Sequence, residues 1–153
     1  NEMDDFSAKP GVPNAYELVG SDANSIQPGK RPLSSMTPTI VLKNKKPFLV
    51  IGSPGGSTII TTTMQVILNV VVFGMDIKEA VSSPRFHSQW LPDMIMTEPR
   101  GLSKDVIKTL VSRGHTLTPY RWGYIGEANG ILIGENGFYG GGDTRGETSS
   151  AGY

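Results

Sequence analysis

Three short stretches carry residue types whose spacing could do chemistry. In "GSPGGS" (Gly52–Ser57), glycines join an apolar β-branched run to an amphiphilic stretch long enough for a helix. A helix start exposes N–H groups without intrahelical partners, which suits an anion. Gly55 and Gly56 leave two successive N–H groups unshielded by side chains. Both can point at one oxygen: a carboxylate, a phosphate, or the oxyanion of a tetrahedral intermediate. A tight turn needing positive φ accounts for the same glycines. In "KRPLSSMTPT" (Lys30–Thr39), Ser34 and Ser35 lie between Pro32 and Pro38 and could accept a carboxylate. Hydroxyl–backbone bonding within a turn is the other reading. In "NEMDDF" (Asn1–Phe6), Glu2, Asp4 and Asp5 could hold an ammonium group or a metal, or form a solvated acidic stretch. No histidine neighbours them to support metal ligation. Taken together, acids for an α-ammonium, hydroxyls for an α-carboxylate and paired amides for a carbonyl oxygen outline an amino-acid head group bearing a side-chain acyl group.

Other chemistries find less support. No Lys-Ser or Lys-Thr follows the last glycine, and the G-x-G spacing of a dinucleotide fingerprint is missing. A third alternative, a non-catalytic anion- or nucleotide-binding domain built on "GSPGGS", stays open at this point. His87, in "PRFHSQW", could be a general base, but no triad motif surrounds it, so it is read as a packed or surface residue. His115 follows a helix end and reads as structural. Trp90 and Trp122 read as packing residues. With no cysteine, thiolate nucleophiles, disulfides and Cys-based zinc sites are excluded. Fourteen basic and fourteen acidic side chains give zero formal charge, hence no electrostatic case for nucleic acid or an anionic membrane. The most apolar stretch, Ile59–Phe73, is broken by Thr61, Thr62, Thr63, Gln65 and Asn69 and is too short to span a bilayer.

The elements that must position these residues follow from periodicity. The first 38 residues are rich in Pro, Gly, Ser, Asp and Asn and read as one long ordered loop. Thr39–Lys43 and Phe48–Gly52 read as a β-hairpin whose second strand feeds the glycine turn. A helix is expected over Gly56–Phe73, with Met64, Ile67, Leu68, Val71 and Val72 as its apolar face. Gly74 should end it as a left-handed cap. Asp76 should cap a short second helix, with Glu79 three residues on, and Pro84 should stop it. Met94–Glu98 is a third strand. Ser103 should cap a third helix whose core face is Val106, Ile107, Leu110 and Val111. "HTLTPY", "GILIG" and "GFYGG" complete the strands, the last two joined by a tight turn at Glu135-Asn136. The pattern is a layered α+β domain of antiparallel hairpins, without alternating βαβ units.

"NEMDDFSAKPG", "KRPLSSMTPT", "GSPGGS" and "PRFHSQWLPD", in that order, together with the closing "AGY", resemble the small subunit of gamma-glutamyltranspeptidase over nearly the whole chain. The resemblance implies an N-terminal-nucleophile hydrolase fold, a four-layer αββα sandwich of α+β type, partial here and completed by a large subunit. It implies one precursor that cleaves itself into two subunits. A threonine at the head of the small subunit serves as nucleophile, its free amine as its own base. It attacks γ-glutamyl amides such as glutathione, and the acyl group passes to water or to an amino-acid or peptide acceptor. Carried over, Glu2 and Asp5 match the positions that bind the substrate α-amino group, and Ser34 and Ser35 the pair that binds its α-carboxylate. Gly55 and Gly56 match the oxyanion-hole glycines, and Tyr16 falls in the lid loop. The threonine-led start has no counterpart: Asn1 aligns inside the subunit, so the nucleophile is expected upstream and this chain alone would be inactive. Thr61–Thr63 are not substitutes, because they lie within a helix. On this reading residues 1–38 form binding and lid loops and 39–153 the layered core of one C-terminal portion. No cofactor is implied, and the location is periplasmic or secreted. Cephalosporin-type acylases and poly-γ-glutamate-processing enzymes are alternatives within the same superfamily.

Overall fold

A computed structural model of the chain describes residue 3, residues 6–34 and residues 36–151. Strands β1 (Thr39–Lys43) and β2 (Lys46–Gly52) form the expected hairpin. Its turn is Asn44-Lys45, both with positive φ (53° and 64°), the pattern that matches strand twist in a two-residue turn. After β2 the chain makes the glycine turn and enters α1 (Ile59–Val71) through a single 3-10 turn over Gly56–Thr58. Gly74, at φ 68°, ends this run: the Met75 N–H reaches back to the Asn69 carbonyl at 3.0 Å. Asp76 then caps α2 (Ile77–Ser82) by accepting from the Glu79 N–H at 2.8 Å.

Two short strands follow, β3 (Phe86–His87) and β4 (Ile95–Thr97), then α3 (Lys104–Ser112) and β5 (Leu117–Pro119). The final hairpin is β6 (Asn129–Gly134) and β7 (Gly137–Gly142), turning at Glu135-Asn136 as expected. A four-stranded antiparallel sheet runs β1-β2-β6-β7, and a three-stranded sheet runs β3-β4-β5. In the second sheet β4 and β5 are parallel, joined through α3. This one βαβ crossover departs from the all-hairpin expectation. The helix returns the chain to the same edge, which a tight turn cannot do for parallel strands.

The core lies between one face of the large sheet and the helices. Leu49 and Ile51 of β2 meet Val66 and Val70 of α1 and Ile77, Ala80 and Val81 of α2. Full burial of each such side chain contributes about 1.5–3 kcal/mol.

Two expected core faces are not what the chain buries. On α1 the buried residues are Ile59, Thr62, Thr63, Gln65, Val66 and Val70, while Met64, Leu68, Val71 and Val72 are exposed. Two of the polar members, Gln65 and Thr63, have partners, whereas the buried Thr62 hydroxyl has none among the described residues. Gln65 Nε2 donates to the Thr61 and Phe86 carbonyls, and Thr63 Oγ1 lies 3.3 Å from Thr37 Oγ1. On α3 no residue is buried, so Val106, Ile107 and Val111 face outward. Ser103 occupies its N-cap position without a side-chain bond to the helix backbone; the Asp105 carboxyl is held below its ordinary value, chiefly by the Ser103 hydroxyl. The outer face of the large sheet is apolar too: Ile40, Val50 and Ile131 line up across β1, β2 and β6. That uncovered row fits one half of a layered sandwich. No helix among the described residues is long and apolar enough to cross a membrane.

Candidate active site

The glycine turn has a backbone that favours glycine. Gly55 sits at φ 140° and Gly56 at φ 56°. Space is as restrictive as torsion. A methyl group on Gly55 would lie 2.5 Å from Thr58 Oγ1 and 3.3 Å from Gly126 Cα. The Gly55 carbonyl is occupied, accepting from Thr58 N (3.1 Å) and Thr58 Oγ1 (2.9 Å). Among the described residues, no hydrogen bond uses the N–H of Gly55 or Gly56. The turn therefore presents two unpaired donors where α1 begins.

Tyr16 closes over this turn. A methyl group on Gly56 would fall 2.5 Å from Cε1 and Cζ of the Tyr16 ring. Tyr16 rides at the tip of a narrow loop closed by the Gly11 N–H to Gly20 carbonyl bond (2.8 Å) and a Pro13–Val19 bridge. Asn14 shapes the tip: its Oδ1 accepts from the N–H of Tyr16 and of Leu18. Residues 11–20 of the expected N-terminal loop are thus held by their own backbone and Asn14 bonds. Behind Tyr16 lies a cavity of about 200 Å³, lined by Ser57, Gln89, Met96, Tyr120 and Trp122 among others. Trp122 meets Tyr16 edge-on at 6.4 Å and Tyr120 at 5.4 Å, and the Arg121 guanidinium stacks on it at 4.0 Å. Trp122 therefore packs on its neighbours as a wall of this cavity. Trp90 is exposed.

Of the other candidate residues, Ser34 is exposed, and its hydroxyl accepts from the Met36 N–H at 3.4 Å. Its segment enters β1 at the end from which β2 leaves, because Thr39 pairs with Ile51. Ser34 and the glycine turn therefore lie beyond the same end of the sheet. Glu2, Asp5 and Ser35 lie outside the described residues. Among the described residues no group of three His, Asp or Glu side chains could hold a metal. His87 is buried as a packed residue: Nδ1 lies 2.7 Å from Thr61 Oγ1 and Nε2 lies 2.7 Å from Gln89 Oε1.

Sequence reasoning missed what supports the turn from below. Gly126 abuts Gly55, and its segment Ile125–Ala128 is held by buried charges. Glu98 Oε1 accepts from the Ile125 N–H at 2.6 Å and Asp143 Oδ2 from the Ala128 N–H at 2.7 Å. Ser53 Oγ accepts from the Glu127 N–H at 3.0 Å. Arg85 pairs with Asp143 at 2.7 Å and donates to the Ile125 carbonyl at 2.8 Å. Arg145 donates through Nε to Glu98 (2.7 Å) and through a terminal nitrogen to Asp143 (2.8 Å). The same guanidinium covers the Val81 and Ser83 carbonyls at the end of α2. Burial alone would push the Asp143 carboxyl up. Hydrogen bonds from Arg145 and Arg85 outweigh this and hold it below the usual carboxylate range. Two arginines and two acids balance in charge, which is how such burial is tolerated.

The gamma-glutamyltranspeptidase family model matches residues 1–153. The chain belongs to the gamma-glutamyltranspeptidase family. It is 50% identical over 155 residues to the glutathione hydrolase proenzyme of Escherichia coli (strain K12), covering 100% of this chain and 26% of that protein. It matches a gamma-glutamyltranspeptidase chain of Helicobacter pylori with a TM-score of 0.88 and 55% identity, over 95% of this chain and 80% of that one. A cephalosporin acylase of Bacillus halodurans is more distant, at 27% identity and a TM-score of 0.73, over 85% of this chain and 25% of that one. The chain thus spans about a quarter of the length of the curated relatives it matches. Its α+β architecture, with mixed helices and a mainly antiparallel sheet, is that of these family structures.

Proposed function

We propose that this chain is the C-terminal portion of the small subunit of a gamma-glutamyltransferase that hydrolyses glutathione and related γ-glutamyl amides. The observation that carries the reading is the Tyr16 ring seated on Gly56, beside two N–H groups without partners among the described residues. That is a covered pocket whose wall can stabilise an oxyanion. A threonine supplied upstream attacks the γ-carbonyl, and its own α-amine takes the hydroxyl proton. Negative charge then builds on the carbonyl oxygen, where the N–H groups of Gly55 and Gly56 receive it. Collapse expels the amine, which takes the proton, and leaves a γ-glutamyl ester on the threonine. Water or an amino-acid acceptor then resolves the ester.

In this reading Glu2 and Asp5 hold the substrate ammonium, and Ser34 and Ser35 its carboxylate. Tyr16 covers the pocket and keeps water from competing with the bound head group. The protein is a precursor that cleaves itself, its partner is the large subunit, and it works in the periplasm or outside the cell. The complete two-subunit protein should cleave L-γ-glutamyl-p-nitroanilide and prefer it to glutaryl-p-nitroanilide. Equal or better cleavage of the glutaryl compound would point instead to an acylase. Ser34→Ala with Ser35→Ala should raise KM for glutathione roughly tenfold to hundredfold, the loss expected when a charge-assisted hydrogen bond is removed. An unchanged KM would remove the carboxylate role.

A further inference from the structure

His87 and Gln89 connect the lid to the helix that begins at the glycine turn. Gln89 Nε2 lies 2.6 Å from the Tyr16 carbonyl and 3.0 Å from the Leu91 carbonyl. Only an amide nitrogen can donate to both, so this amide has one possible orientation. Its Oε1 consequently faces His87 Nε2, and that ring nitrogen must carry a proton. The opposite ring nitrogen, Nδ1, meets the hydroxyl of Thr61 in the first turn of α1. His87 cannot swing away, being 1% exposed. Its strand is clamped to α1 by Gln65, which donates to the Phe86 carbonyl (2.8 Å) and accepts from the Phe86 N–H (3.2 Å).

We propose that the chain Thr61–His87–Gln89 is a strut that sets the height of the Tyr16 lid above Gly56, making His87 and Gln89 positioning residues for the γ-glutamyl pocket. The proposal rests on the functional reading above. The strut's two ends explain its reach. One end is built into the helix whose first residues follow the glycine turn, and the other grips the backbone of the residue that covers it. The lid and the donors beneath it therefore share one rigid reference. Arg121 supplies a second hold, donating to the Ala15 carbonyl at 3.0 Å, so losing the strut loosens the lid without freeing it. Neither strut residue touches Gly55 or Gly56 by a hydrogen bond among the described residues, so the effect must pass through Tyr16.

The test uses the complete processed protein, with L-γ-glutamyl-p-nitroanilide as substrate and amide hydrogen exchange of the segment around Tyr16 as a second readout. Gln89→Leu should raise KM up to about tenfold, with kcat within roughly twofold of wild type, the range expected for one lost hydrogen bond. Exchange around Tyr16 should quicken by a similar factor, while β2 stays protected. In a Tyr16→Ala background Gln89→Leu should add nothing to KM, because the strut then has no lid to place. His87→Gln, which keeps a donor near the Nε2 position, should preserve most of the wild-type KM. His87→Asn, whose amide stops short of Gln89, should not. Unchanged exchange in Gln89→Leu, or the same KM rise with and without Tyr16, overturns the proposal. If the wild-type protein does not cleave the γ-glutamyl anilide, the functional reading fails, and the exchange measurement alone decides whether the strut holds the loop.

Discussion

On the proposed function, Gly55→Ala in the complete protein should lower kcat for γ-glutamyl-p-nitroanilide by about 10²–10³-fold, the loss associated with one oxyanion donor. Two features of the turn dictate this. At φ 140° an alanine is strained whatever space surrounds it. The new methyl group also meets Thr58 Oγ1 and the Gly126 backbone, which is pinned by Glu98 and Asp143 and has no room to retreat. The turn must therefore rotate, and its N–H groups rotate with it. Gly56→Ala behaves differently. Its φ of 56° is a left-handed well that alanine enters at about 1–2 kcal/mol, and its methyl group strikes the Tyr16 ring. Removing that ring should help: Gly56→Ala with Tyr16→Ala should recover part of the lost kcat, whereas Gly55→Ala with Tyr16→Ala should not. Steady-state kinetics on the four variants decide. Wild-type kcat in Gly55→Ala would exclude these amides from the chemistry.

Asp143→Asn destabilises the complete protein by about 3–5 kcal/mol, the cost of removing one partner from a buried ion pair. Asp143 faces two guanidinium groups and the Ala128 N–H, and its side chain is fully buried. The neutral amide keeps the shape and leaves two cations sharing one remaining carboxylate. Denaturant titration measures the loss as a shift in midpoint at constant slope. The pH dependence has a definite sign. Because the folded Asp143 carboxyl sits below its ordinary value, its stabilisation is complete above the unfolded value of about 4 and is lost as pH falls through the lower folded value. Wild-type stability should therefore drop below about pH 4, and Asp143→Asn should lack that portion of the drop. Parallel acid profiles for the two proteins would refute this assignment.

What could be read from the residues was mostly local. Both hairpins were legible because their turns are chemical statements: Asn44-Lys45, and Glu135-Asn136 before Gly137 at φ 136°. The α1 terminator at Gly74 and the Asp76 cap were legible for the same reason. The face that α1 buries was not. Its apolar residues run almost all round, and periodicity cannot tell which side meets this chain's own sheet. Thr63 and Gln65 are inside because polar partners await them, which no hydrophobic count registers. The Tyr16–Gly56 contact spans forty positions and was not legible, since the family resemblance placed Tyr16 only in a lid loop. The four-charge network was missed outright. Its members sit at positions 85, 98, 143 and 145, and each looks like an ordinary surface charge. The one available signal was an acid and a base two residues apart in "GGGDTRGE", an odd investment in a stretch otherwise made of glycine.

The row Ile40–Val50–Ile131 and the outward side of α1 carry a consequence for handling the molecule. Water meets a ribbon of hydrocarbon on both flanks of the same sheet layer, and water avoids wetting such ribbons when any other greasy surface is near. Prepared by itself, this polypeptide should therefore have no fixed melting temperature. Its midpoint should move with protein concentration, as it does for any chain whose folded form is sheltered by association.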